Sequence, residues 1–113
     1  MTARNKLLTA PPYPVEQTLK RLGANLRTAR LRRNLTIADM AAKIGTGQRA
    51  VTDAEKGKSS TGIAIYAAML WALGLLDQMV GVAAPECDEQ GQTLALSRQR
   101  ARARPRRDLN SDS

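Results

Sequence analysis

The sequence predicts an all-α fold, with five helices packed into one small domain over residues 15–83, an extended arm before it and a basic tail after it. Three observations lead there. Apolar residues recur at helical spacing, capping residues and glycines punctuate the chain at helix-length intervals, and a charge-free stretch, GIAIYAAMLWALGLL, offers more apolar surface than a surface helix needs. At 113 residues the chain is long enough for a single core.

Pro11, Pro12 and Pro14 predict an extended arm over residues 1–14. Val15, Leu19, Leu22, Leu26 and Ala29 then recur at helical spacing and predict a first helix over residues 15–32. Thr36 and Asp39, three residues apart, form a capping-box pair for a second helix beginning at Ile37. Ile37, Met40, Ala41 and Ile44 fall at i, i+3, i+4 and i+7 and share its inward stripe, and Gly45 ends it. Gly47 caps a third helix that buries Ala50, Val51 and Ala54 and stops at Gly57, turning Gln48, Arg49, Thr52, Asp53 and Lys56 outward.

That outward face mixes an amide, a guanidinium, a hydroxyl and a carboxylate, which are the groups that read base edges in a DNA major groove. Two short helices joined by a glycine turn are also the shape that enters such a groove. Gln48 and Arg49 are the first candidates for base contacts, with Thr52 and Asp53 next; Thr36, Lys56 and Lys58 are candidates for phosphates.

Ser59, Ser60 and Thr61 offer hydroxyl caps for a fourth helix, which Gly74 closes, and a short fifth helix is expected over residues 75–83, ahead of Pro85. Ile63, Tyr66, Met69, Leu70 and Leu73 fit a core stripe, leaving Trp71, Leu75, Leu76, Val80 and Val82 as candidates for a dimer or partner interface; plain intramolecular packing is the competing reading. Fifteen apolar residues interrupted by Gly74 are too few for a membrane span. Residues 84–97 stay open between helix, strand and loop.

Charge divides along the chain. Residues 1–58 hold 12 basic and four acidic groups, residues 59–97 hold four acids and no base, and residues 98–113 hold six arginines against two acids. A basic N-terminal half followed by an acidic segment separates a nucleic-acid face from a partner face. In the tail RQRARARPRR, Arg98, Arg100, Arg102, Arg104, Arg106 and Arg107 nearly alternate, which gathers them on no single helix face and predicts an extended segment. Salt-sensitive DNA affinity, insertion into a narrow minor groove, an acidic cleft on a partner and simple solubility all remain open for it.

With no His and one cysteine, Cys87, the chain lacks an ordinary zinc ligand set, a Ser-His or Cys-His pair and an imidazole base, so a non-enzyme without metal or cofactor is expected. Only two consecutive large apolar residues stand in the first 14, short of a secretory segment, and the lone cysteine suits a reducing compartment; a cytoplasmic, nucleoid-associated protein is expected.

The stretch LTIADMAAKIGTGQRAVTDAEKGK resembles the XRE family of helix-turn-helix regulators. Leu35, Thr36, Met40, Ala41, Lys43, Ile44, Gly45, Val51, Thr52, Glu55, Gly57 and Lys58 occupy its diagnostic places without a gap, identically or with like residues. Ile37, Thr46 and Gly47 depart from it, standing where the family prefers a phosphate-binding Gln, a small apolar residue and Ser. The resemblance implies a lambda-repressor-like arrangement of the five helices, with Arg30 paired to Glu55 beneath the motif. Farther on, residues 66–104 are similar to the C-terminal half of HipB-like antitoxins: a helix ending in L-G-L, a short helix, an acidic D-x-x-G turn at residues 88–91 and a basic end. This second likeness implies a homodimer that binds a palindromic operator, represses its own operon and pairs with a HipA-like serine/threonine kinase toxin. Two other readings stand beside it: a stand-alone repressor of a phage or mobile element, and a module that mainly holds a protein partner.

Overall fold

The computed structural model describes residues 5–111, with side chains described through Ala103. Among these residues every regular element is helical. The chain forms two compact units, residues 1–79 and residues 80–113.

In the first unit, α1 (Lys6–Thr9) is capped by the Asn5 side chain, which accepts from the Leu7 N–H. Helix α2 runs over Tyr13–Arg32. The arm is therefore not extended throughout, and α2 begins before Val15. Pro12 stands at the N-cap and Pro14 in the first turn, where a missing N–H removes no helix hydrogen bond and the fixed φ is already helical. Residues 1–4 of the expected arm lie outside the described residues.

Helix α3 (Ile37–Ile44) carries a complete capping box: the Thr36 hydroxyl accepts from the Asp39 N–H at 3.0 Å, and the Asp39 carboxylate accepts from the Thr36 N–H at 2.9 Å. Gly45, at φ 78°, ends it in the left-handed conformation. Helix α4 (Gln48–Glu55) follows across a three-residue turn. Helix α5 spans Ile63–Ala72 and α6 spans Asp77–Val80.

Leu26 of α2, Met40 and Ala41 of α3, Val51 and Ala54 of α4, and Tyr66, Met69, Leu70 and Leu73 of α5 and its C-cap make one buried cluster. Each of α2 to α5 thus contributes buried residues to a common centre. Val15, on the apolar spacing of the first helix, and Ile63, assigned to a core stripe, are exposed, each in the first turn of its helix. No hydroxyl of Ser59, Ser60 or Thr61 caps α5, whose N-cap is Gly62 with no side-chain hydrogen bond. Ser59 instead donates to the Leu8 carbonyl and ties α1 to the loop after α4.

The expected helix over residues 75–83 shrinks to the single turn of α6. Leu75 donates its N–H to the Leu70 carbonyl and Gly74 donates to Trp71, so residues 74 and 75 complete the Schellman end of α5, and Ala83 turns left-handed at φ 55°.

The second unit holds a 3-10 turn (Pro85–Cys87) and α7 (Glu89–Ser111), entered through Asp88, whose carboxylate accepts from the Gly91 N–H at 2.9 Å. Residues 84–97 are thus largely helical. The Arg-rich segment expected to be extended is also helical. Alternation argues about which face a residue occupies, not about propensity, and Leu, Ala, Gln and Arg are all strong helix formers.

The Thr36 backbone N–H, and then its side chain, hold the Asp39 carboxyl below the usual carboxylate range. A depressed folded-state value contributes stability that is present above the ordinary Asp range and is lost as pH falls through the folded value. Asp39→Asn should therefore lower thermal stability at pH 7, and its deficit against the wild type should shrink as the midpoint is followed down to about pH 3.

Candidate nucleic-acid interface

Helix α4 owes its position to two glycines and one ion pair. At Gly57, φ is 71°; the Gly57 N–H donates to the Ala54 carbonyl and the Lys58 N–H to the Asp53 carbonyl, closing the helix in a Schellman motif. Here the chain runs against α2 so closely that a Cβ on Gly57 would lie 2.6 Å from the Leu19 carbonyl. One turn along α2, a Cβ on Gly23 would lie 2.5 Å from the Glu55 carbonyl oxygen and 2.6 Å from that of Ala54. A glycine inside a helix weakens it, and close backbone approach is the reason for this one.

Two turns farther along α2 from Gly23, Arg30 pairs with Glu55. The Arg30 Nε donates to Glu55 Oε2 at 2.6 Å and Nη2 donates to Oε1 at 2.9 Å, while Nη1 donates to the Leu35 carbonyl at 2.8 Å. Their side chains are only 6% and 5% exposed. The hydrogen bond to Glu55 raises the Arg30 pKa above its ordinary value despite burial, so the guanidinium stays charged. One side chain thereby joins α2, the segment leading into α3, and the last turn of α4. At the same end, the Tyr66 hydroxyl of α5 donates to the Lys58 carbonyl at 3.5 Å.

With its inner side fixed, α4 presents Gln48, Arg49 and Lys56 to solvent. Gln48 and Arg49 form the first turn, and no side chain caps that turn because Gly47 has none to offer. Its free N–H groups and the positive end of the helix dipole face outward beside the Arg49 guanidinium, a favourable setting for phosphate.

Thr52 and Asp53 are only half-exposed. The Thr52 hydroxyl donates to the Gln48 carbonyl at 3.1 Å, and the Asp53 carboxylate lies 3.4 Å from Lys58 Nζ. Both keep spare hydrogen-bonding capacity, but Asp53 is engaged in holding Lys58. Thr36 caps α3 at the exposed surface with its hydroxyl oxygen as acceptor, leaving its O–H able to donate.

At the candidate partner surface the residues separate. Trp71 is 58% exposed and Leu76 39%, whereas Leu75 is partly buried against the core. The Schellman end of α5 turns Leu75 partly inward, leaving less of it exposed than of Trp71 or Leu76. Val80 and Val82 are exposed at 80% and 72%.

Reading the sequence missed Gly23, the Leu35 carbonyl and the tie between Ser59 and Leu8. Only the first had a signal: a glycine in the middle of a helical pattern usually marks a close packing contact.

A buried clamp, a glycine turn between two eight-residue helices and a polar, uncapped helix start define a DNA-binding helix-turn-helix. A helix-turn-helix domain family matches residues 21–81, more than half of the chain, and the chain belongs to that family. No curated protein and no solved structure matches it. Among the described residues no helix is long and apolar enough to cross a membrane.

Two substitutions test the clamp by urea unfolding. Glu55→Gln leaves the Arg30 charge buried without its counter-ion and should destabilise the fold by about 3–5 kcal/mol. Gly23→Ala should cost about 1–3 kcal/mol, because the new methyl meets backbone atoms that move only with α4 itself.

Proposed function

We propose that the chain is a sequence-specific transcriptional repressor that binds a palindromic operator as a homodimer. The observation that carries this reading is the exposure of Gln48 and Arg49 on the first turn of α4, a helix locked from behind by the buried pair of Arg30 and Glu55. A rigidly held helix start carrying an amide and a guanidinium can form bidentate contacts with adenine and guanine edges. Thr52 supplements these contacts, while Asp53 orients Lys58. Thr36, Lys56 and Lys58 grip phosphates, fixing register without reading sequence. Two copies related by a two-fold axis place their α4 helices in successive major grooves, about 34–36 Å apart, and block the promoter by occupying it. Trp71 and Leu76 supply apolar surface for the second copy or for a protein partner, and Val80 and Val82 are separate exposed candidates for such a contact.

We infer further that the partner is a HipA-like kinase toxin, so that the repressor also serves as an antitoxin in the cytoplasm and autoregulates its operon. The likeness of residues 66–104 to HipB-like antitoxins is what supports this. The alternative is a stand-alone repressor with no toxin. Neither role needs a catalytic residue, metal or cofactor.

Arg49→Ala should weaken operator binding by about 1–3 kcal/mol and relax preference at one base position; equal loss on random duplex would remove Arg49 from the base-reading set. Tagged protein purified gently from its host at low salt should carry a stoichiometric kinase-like protein, identified by mass spectrometry. Recovery of a homodimer bound only to DNA would favour the stand-alone repressor.

A further inference from the structure

We propose that α7 is a second DNA-binding element, which lies lengthwise in a major groove and grips the phosphates of both strands with arginines on opposite sides. This rests on the DNA-binding reading of the chain and adds a contact that the helix-turn-helix does not supply.

The geometry follows from a period-2 sequence placed on a 3.6-residue helix. At about 100° per residue, Arg98 and Arg102 stand about 40° apart, and Arg100 stands about 160° from each of them. All three are exposed. A helix whose cations shared one face would contact one phosphate row, leaving the other row unpaired. The arrangement in α7 puts cations on two opposite edges, as the two phosphate walls of a groove require. With its side chains a helix is about 10–12 Å across, and the major groove is about 12 Å wide, so arginines on both edges meet both walls at once.

The strip between the two edges suits the groove floor. Ser97 and Ala101 lie there, with side chains short enough for the helix backbone to approach the bases, and exposed Leu94 offers apolar contact of the kind that thymine methyl groups accept. Charge points to the same ligand: residues 98–107 hold six arginines and no acid, a density matched by a polyanion with one charge per about 1.7 Å of axis. None of the three described arginines has a carboxylate partner among the described residues, so their charge is available to a ligand.

The test uses the full chain and a fluorescein-labelled AT-rich duplex of arbitrary sequence, with binding followed by anisotropy across a KCl titration. Each phosphate contact contributes about 0.9 to the slope of log K against log salt. The variant R98Q/R100Q/R102Q should therefore bind with a slope shallower than wild type by about 2–3, and filling the minor groove with netropsin should leave this difference intact. Coincident slopes would overturn the proposal, as would a difference that disappears with netropsin, which would put the arginines in the minor groove. If the wild-type chain fails to bind duplex at all, the DNA-binding reading falls with it; binding with coincident slopes removes only the role of α7.

Discussion

Everything the recognition surface can do depends on one buried charge pair. Arg30 and Glu55 leave water almost completely, and a carboxylate and a guanidinium make that transfer tolerable only by meeting in bidentate geometry, with the remaining guanidinium N–H satisfied by the Leu35 carbonyl. An apolar pair of similar volume would serve stability as well. What it would lack is direction. A forked donor meeting a forked acceptor fixes the rotation of α4 about its axis, and therefore which side chains face outward. In this account the ion pair specifies orientation, and the apolar cluster around Leu26, Met40, Val51 and Met69 supplies the driving force.

Steric constraint works alongside the electrostatics. Gly23 and Gly57 let α2 come within backbone contact of the last turn of α4, so this helix is held by its C-terminal end while its N-terminal turn is left bare. The division fits the charge layout. The clamp and the core occupy the inner faces of α2 to α5, and the Arg49, Lys56, Lys58, Arg98, Arg100 and Arg102 cations remain at the surface. The missing cap at Gly47 belongs to the same pattern: a side-chain hydroxyl there would consume an N–H that phosphate can take.

Much of this was legible in the sequence wherever a local rule had a single outcome. The capping box at Thr36 and Asp39, the left-handed glycines 45, 57 and 74, and the inward stripes of α3 and α4 follow from spacing and residue type alone. Gly23 was not read, since its purpose lies in a contact with residues more than thirty positions away. Residues 75 and 76 read as the start of a helix because apolar spacing cannot distinguish a new helix from the hydrophobic clasp that closes the previous one. The Arg-rich segment shows another limit. Its alternation excludes a one-sided helix, and the structure shows a helix with Arg98 and Arg102 on one side and Arg100 on the other, built here from Arg, Gln and Ala, whose propensity favours helix whatever their faces meet. Of the candidate base-reading residues, Asp53 was placed outward by periodicity but is drawn to Lys58, a pairing that spacing alone leaves undecided.

The account stands most directly on sequence-specific contact through the first turn of α4. Selection of bound duplexes from a randomised library by the full chain, followed by guanine N7 methylation interference on the enriched sequences, measures this. A two-fold symmetric motif with a guanine whose methylation abolishes binding by the wild type, but not by Arg49→Ala, is the predicted result. A library that stays unenriched after repeated rounds, while still binding in a salt-dependent way, would contradict it and reduce the protein to a non-specific DNA binder.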